Sequence, residues 1–196
     1  MQVKKEEVYK RILSVSEKLF IRYGYKKTSL KMIADRCYIS KSNVYRYFSS
    51  KEEIYEALVG DSRKNILQVT DRLMKPDFVK KQLGDKVDEI TNKIVEVVAA
   101  NRHGILVMLK SGREEDRDLI ANKFTTSFSE NSPVKDERFK ELVAKILIYG
   151  LSDVIMEYED SDELKNKIFF LMQYHYMGYS TFINKEVGYS YEEIKA

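Results

Sequence analysis

The segment from residue 41 to residue 48 has the side chains best suited to binding chemistry in this 196-residue sequence. If the segment is helical, Val44 and Phe48 lie four residues apart and face the core. Hydroxyl, amide, phenol and guanidinium groups can then point outwards, from Ser42, Asn43, Tyr45, Arg46 and Tyr47. Such groups hydrogen bond to base edges and phosphate oxygens, so the pattern favours contact with nucleic acid.

The distribution of charge agrees with this interpretation. Residues 1–51 include 13 Lys and Arg residues and four acidic residues, which gives a net charge of +9. The remaining residues include 21 basic and 27 acidic side chains, a net charge of −6. A basic N-terminal region on an acidic body is typical of a protein that binds a polyanion. Charge alone leaves open a basic face that is only solvated.

Two short helices joined by a tight turn would position the polar side chains. Apolar residues at i, i+3, i+4 and i+7 after the capping residue Ser29 predict the first helix: Leu30, Ile33, Ala34 and Cys37. Ser40 can cap the second helix, which completes a helix-turn-helix unit. A capping box over residues 50–53 predicts the start of a longer helix.

Helical patterns continue through the rest of the chain. They predict helices over residues 85–101, 103–110, 114–130, 134–158 and 161–185. The sequence also predicts a helix end at Gly24, breaks at Pro76 and Pro133, and an acidic turn at residues 159–162. With only 8 Gly and 2 Pro, the composition favours an all-α fold. The last two helices are apolar on more than one face, which predicts that they cover the core and also pair with a second subunit in a homodimer.

Several classes of protein are disfavoured by residues that are scarce or badly spaced. Cys37 is the single cysteine, and His103 and His175 are the two histidines. Neither histidine occurs at a catalytic or metal-binding spacing, so we expect no enzyme, no metal site and no cofactor. The sequence has no apolar run of membrane-spanning length and no secretory signal, and we expect a soluble cytoplasmic protein without a membrane partner.

Residues 5–60 resemble the N-terminal domain of tetracycline-repressor-type (TetR family) regulators. The matching motifs are Ser16, Leu19-Phe20, Gly24-Tyr25, Thr28-Ser29-Leu30, Ile33-Ala34, Ile39-Ser40-Lys41, Val44-Tyr45 and Tyr47-Phe48-Ser49-Ser50-Lys51-Glu52. The resemblance implies a three-helix DNA-binding domain with a helix-turn-helix at residues 3–60. A larger helical domain for effector binding and dimerisation would occupy residues 61–196. Tyr38 replaces the usual turn glycine, and Ser42 stands where glycine or proline is frequent, which alters the surface presented to DNA.

The resemblance also implies roles for individual residues. Thr28 and Ser29 would lie near a phosphate at a helix N-terminus. Tyr45 and Lys51 would hold the DNA backbone, although Tyr45 could instead be an ordinary half-buried core residue. The residues that would approach bases are Lys41, Ser42, Asn43 and Tyr47.

The C-terminal domain is rich in aromatic residues and methionine, which can line an adaptable apolar pocket. The candidate pocket residues are Met108, Phe124, Phe128, Tyr149, Met156, Met172, His175 and Tyr176. For most aromatic residues of this domain, a place in the core or at the dimer interface is the competing interpretation. The acidic body favours an apolar effector that is neutral or cationic.

Together these observations predict a dimeric repressor that a small molecule releases from a double-stranded DNA operator with inverted-repeat symmetry. One alternative is a protein of the same fold that binds DNA and is controlled by a protein partner. A second alternative is a helical enzyme or scaffold whose basic region is incidental.

Overall fold

The computed structural model describes residues 2–73, 82–129 and 136–183, and every regular element among them is a helix. The elements are α1 (Gln2–Tyr23), α2 (Leu30–Arg36), α3 (Lys41–Val44), α4 (Lys51–Leu73), α5 (Leu83–Leu106), a π-helical turn (Val107–Ser111), α6 (Glu114–Ser129), α7 (Glu137–Glu157) and α8 (Ser161–Ile183). This confirms the expected all-α fold. No helix in the described ranges is both long and apolar enough to cross a membrane.

Most helix ends follow the local signals in the sequence. Gly24 ends α1 with a φ of +81°, a conformation that glycine adopts without strain. The predicted break between residues 101 and 103 is confirmed, because Asn101 has non-helical angles (φ −159°, ψ 68°) inside α5. The Asn101 side chain accepts a hydrogen bond from the Gly104 N–H at 2.9 Å, so it caps the segment that follows. The turns predicted around Pro76 and Pro133 lie outside the described residues.

The chain divides into two compact units. The first combines the described parts of Met1–Ile66 with Val97–Asp118. The second combines those of Leu67–Glu96 with Leu119–Ala196. The first unit therefore includes a segment from the middle of the chain as well as the N-terminal helices. The proposed division into domains of residues 3–60 and 61–196 stays a prediction.

The core of the first unit is built around aromatic rings. Phe20, Tyr25 and Tyr55 form a cluster with ring centroids 4.8–6.0 Å apart. Tyr25 also donates its backbone N–H to the carbonyl of Ser111 at 2.8 Å, which ties the turn after α1 to the π-helical turn. Gly104 allows close packing on α4, since a Cβ there would lie 2.5 Å from the Leu58 carbonyl oxygen.

A buried network of polar groups joins α4 to α6 in the same unit. Tyr55 donates its hydroxyl hydrogen to Asp116 Oδ2 at 2.7 Å, and Arg63 Nε donates to Asp116 Oδ1 at 2.6 Å. Arg63 also donates to Glu56 Oε2 at 2.6 Å. The hydrogen bond to Glu56 is the main reason that the pKa of Arg63 is raised. The Asp116 carboxylate, only 4% exposed, is therefore paired and hydrogen-bonded.

The second unit places α7 against α8. Gly150 on α7 lies against Leu171 of α8, since a Cβ at residue 150 would be 3.4 Å from the Leu171 methyl carbons. Both helices carry buried apolar side chains: Leu147, Leu151, Ile155, Leu164, Ile168 and Met172. Asp136 and Asp160 cap α7 and α8 by accepting backbone N–H groups of their first turns. The acidic turn predicted at residues 159–162 is shorter in the structure, because α8 begins at Ser161 and residues 158–160 connect the two helices.

Candidate nucleic-acid interface

Helix α3 is short, and side-chain caps fix where it begins. Ser40 is its N-cap and accepts the Asn43 N–H at 3.1 Å, while its hydroxyl lies 2.9 Å from that of Ser42. In the same way, Ser29 caps α2 by accepting the Met32 N–H at 3.2 Å. Both caps were predicted from the sequence. They satisfy backbone donors that a short helix would otherwise leave open.

Apolar contacts hold α3 in one orientation. Val44 and Phe48 are both buried, as their four-residue spacing predicts. The Phe48 ring stacks on that of Tyr9 in α1, with centroids 4.9 Å apart. On α2, Ile33 and Ala34 are also buried, and α2 packs on both α1 and α3. The opposite face of α3 is therefore turned away from the packing with α1 and α2.

The polar side chains predicted on that face are accessible. Lys41, Ser42 and Arg46 are exposed, and Asn43 and Tyr47 are half-buried. Tyr45 is 48% exposed, and the Lys41 ammonium lies 5.7 Å from its ring centroid. An exposed Tyr45 does not favour the alternative that it is a core residue. The structure thus brings six predicted contact residues onto one continuous segment.

Thr28 and Lys51 are placed differently from the residues of α3. Thr28 is only 2% exposed, and its hydroxyl lies 2.9 Å from the Gly24 carbonyl oxygen, to which it donates. Lys51 Nζ donates to the carbonyls of Tyr25 and Thr28 at 2.8 and 3.0 Å. Burial lowers the pKa of the Lys51 ammonium. Both side chains hold the turn between α1 and α2, a role that the sequence did not reveal.

The turn between α2 and α3 contains a residue in a rarely used conformation. Tyr38 has a φ of +55°, which places it in the left-handed region. The Tyr38 N–H donates to Asp35, and the Ile39 N–H donates to Ala34 at 3.1 Å. These two bonds form a Schellman motif, whose left-handed position is usually glycine. The departure noted in the sequence at residue 38 thus falls where the backbone requires positive φ, which costs a non-glycine residue roughly 1–2 kcal/mol.

Metal and thiol chemistry find little support in the described parts of the chain. No group of three or more His, Cys, Asp or Glu residues there is arranged to hold a metal ion. Cys37 is buried, and burial raises the pKa of its thiol, which disfavours the reactive thiolate. His103 Nδ1 lies 2.8 Å from Glu17 Oε1 on the surface of the first unit.

The candidate effector residues are spread over both units. Met108 is buried in the first unit, and Phe124 and Met172 are buried in the second. His175 is half-buried, and burial lowers its pKa to about 4. Tyr149 and Met156 are 52% and 44% exposed on α7. The side chains of Phe128 and Tyr176 lie outside the described part of the structure.

Comparison with known sequences identifies the segment that carries this interface. The profile of bacterial regulatory proteins of the tetR family matches residues 12–58, which include all of α2 and α3. Two proteins of Bacillus subtilis (strain 168), both described as uncharacterized HTH-type transcriptional regulators, are similar in sequence. YhgD is 31% identical over 35% of this chain and 36% of its own length. YdeS is 26% identical over 63% of this chain and 58% of its own length. The chain therefore spans less than two thirds of either relative.

Comparison with solved structures extends the similarity in fold beyond the N-terminal helices. NalD of Pseudomonas aeruginosa, described as the secondary repressor of the MexAB-OprM multidrug efflux pump, superposes with a TM-score of 0.55. That match has 18% identity and covers 89% of this chain and 96% of NalD. A TetR-family regulator from Bordetella parapertussis 12822 also gives 0.55, with 19% identity over 88% of this chain and 97% of that protein. Residues 12–58 of this chain thus match the tetR family of bacterial regulatory proteins, and the chain shares its fold with solved TetR-family regulators.

Proposed function

We propose that this protein is a dimeric repressor that binds an operator in double-stranded DNA and is released by a small molecule. The observation that carries the proposal is the exposed polar face of α3, which is anchored to the core by the buried Val44 and Phe48. A capped helix with this face can enter the major groove and read base edges. Because its proposed ligand is the chromosome, we place the protein in the cytoplasm and assign it no catalytic activity.

The contact residues divide by chemistry into base readers and backbone contacts. We assign Lys41, Ser42, Asn43 and Tyr47 to bases, since they lie at the start of α3 or on its accessible side. Tyr45, Arg46 and Ser29 would contact phosphates. Thr28 acts through the turn that its hydroxyl supports. Lys51 has two of its three N–H groups bonded within the chain, which leaves one for a phosphate.

An exposed apolar stripe on α7 supports the homodimer. Four side chains at intervals of three or four residues are each 47–62% exposed: Phe139, Leu142, Ile146 and Tyr149. Met156 continues the stripe, and Phe170 and Tyr174 of α8 are 62% and 81% exposed. Large apolar side chains at this spacing are typical of a helical interface. A two-fold dimer through α7 and α8 would cover them and bring two copies of α3 to an inverted repeat.

By this proposal, the effector binds among the helices of residues 61–196. The buried Phe124 and Met172 supply apolar contacts, and His175 is neutral at pH 7 because its pKa is about 4. A neutral imidazole carries no charge that would attract an anion. We therefore propose an apolar effector that is neutral or cationic. It must bind the two conformations of the dimer unequally, or DNA affinity will not change.

Two linked measurements test the proposed function. Selection from random double-stranded DNA by the purified protein should enrich an inverted repeat, bound with one dimer or a pair of dimers. Calorimetry of lipophilic cations, neutral aromatics and acyl-type anions, with and without that DNA, should find a ligand that weakens operator binding about 5–150-fold. Enrichment of no sequence would refute the DNA-binding function. If only a protein partner released the protein from its selected DNA, control by a small molecule would be refuted. Tight binding of an anion alone would refute the proposed neutral or cationic effector.

A further inference from the structure

Tyr38 combines two features that are rarely found together. Its side chain is 93% exposed, the highest value among the large apolar side chains that the structure describes. Its φ of +55° lies in the left-handed region, which tyrosine seldom adopts and glycine adopts freely. The conformation is imposed by the Schellman motif at the end of α2, in which the Ile39 N–H reaches back to Ala34.

The fold gains little from a tyrosine at this position. A side chain that stays 93% exposed buries almost no apolar surface, so its burial cannot offset the backbone strain. Glycine would make the same backbone hydrogen bonds without strain. An unfavourable backbone conformation that brings no benefit to the free protein points to a benefit in a complex.

The position of Tyr38 in the helix-turn-helix indicates which complex. In this motif the first helix crosses the DNA backbone, and the N-terminal residues of the second helix contact base edges. The turn between them borders the groove, and Tyr38 lies two residues before Ser40, the N-cap of α3. The exposed side chains nearest in sequence include two basic residues, Arg36 and Lys41, and one acidic residue, Asp35. The net positive charge favours a polyanion beside the ring.

We propose that Tyr38 is an additional operator contact, whose phenolic O–H donates a hydrogen bond to a phosphate oxygen at the edge of the groove that α3 enters. Tyrosine hydroxyls are among the side-chain groups that position proteins on DNA phosphates. The inference rests on the proposed DNA-binding function and adds a residue outside α3 to it. The strain at residue 38 is then a cost to the free protein that the bound state offsets.

Three substitutions test this contact on the operator selected by the wild-type protein. Tyr38→Gly and Tyr38→Asn both relieve the strain, since glycine and asparagine tolerate positive φ, and both should raise the urea midpoint of unfolding. Both should also weaken operator binding about tenfold for each half-site, the loss expected for one hydrogen bond to a charged group. Tyr38→Phe keeps the ring and the strain but lacks the hydroxyl, and it should lose most of the same affinity.

The contact should also have a recognisable dependence on salt. Tyrosine carries no charge, so the slope of log affinity against log salt concentration should stay at the wild-type value in all three variants. Higher stability with weaker binding is a combination that a purely structural tyrosine would not give. Wild-type affinity in Tyr38→Gly and Tyr38→Asn would overturn the inference while leaving the proposed function intact. Failure of the wild-type protein to select any DNA would overturn both.

Discussion

Asn43 and Arg46 lie three residues apart, at α3 and just after it, yet their side chains offer different chemistry. An amide can form paired hydrogen bonds with adenine, whereas an exposed guanidinium binds any phosphate. We therefore expect Asn43→Ala to cost about 1–3 kcal/mol for each half-site of the selected operator and to relax the preference at one base pair in each half-site. Arg46→Ala should weaken binding to all DNA sequences alike. It should also lower the slope of log affinity against log salt concentration by about one unit for each subunit bound.

Binding measured against the operator and its single-base variants, at several salt concentrations, separates these two roles. Asn43→Ala should keep the wild-type salt slope, and Arg46→Ala should keep the wild-type order of base preferences. The reverse pattern would show that α3 does not present its face to the bases as proposed.

His175 makes stability depend on pH through its burial. Its pKa falls from 6.5 to about 4 in the folded chain. Between these values the unfolded chain takes up a proton that the folded chain does not, so stability falls as the pH falls below 6.5. Integration from pH 7.5 to pH 5 gives a loss of about 2 kcal/mol from this one group.

Urea unfolding of the wild-type protein and of His175→Asn at pH 7.5 and pH 5 measures this contribution. The wild-type protein should lose about 2 kcal/mol more than the variant between the two conditions. Equal losses would mean that His175 titrates normally in the folded protein.

At the scale of elements, the polar network between α4 and α6 should be worth far more than a surface ion pair. Asp116 is nearly buried and accepts hydrogen bonds from Tyr55 and Arg63. Asp116→Ala leaves the Arg63 charge without its buried partner, and we expect a loss of about 3–5 kcal/mol in the free energy of unfolding.

Glu114 offers a matched control on the same helix. It pairs with Lys26 at 3.1 Å, but both side chains are exposed, at 64% and 74%. Glu114→Ala should therefore change the unfolding free energy by less than about 1 kcal/mol. Urea denaturation of both variants provides the comparison. Similar losses would mean that burial does not strengthen the interaction at Asp116.

Local signals in the sequence were sufficient to predict the short helices that carry the candidate interface. Ser29, Ser40 and Gly24 act within a few residues of themselves, and each marks a helix end where it was predicted. The long-range partners were not predictable. Lys51 reaches back 26 residues to the Tyr25 carbonyl, and Arg63 reaches forward 53 residues to Asp116. No periodicity within one helix encodes such pairs, since they depend on how the helices pack.

The whole molecule is proposed to work as a dimer, and Ile146 is near the centre of the exposed stripe on α7. It is 62% exposed, so an aspartate there should change the stability of a single chain by only about 0.5 kcal/mol. In a dimer through α7 and α8 the same carboxylate would be buried without a partner. We expect Ile146→Asp to convert the dimer into folded monomers at micromolar concentration.

Sedimentation equilibrium and operator binding should then change together. Two α3 helices held by one dimer bind the second half-site at a high effective concentration, so loss of the dimer should weaken binding to the inverted repeat by about 10²-fold or more. Leu119→Asp provides the control, because Leu119 is 39% exposed on α6, a helix outside the proposed subunit interface, and should leave both mass and affinity unchanged. A dimeric Ile146→Asp protein with full operator affinity would place the subunit interface elsewhere. If Leu119→Asp also gave monomers, the loss of the dimer could not be attributed to the stripe on α7.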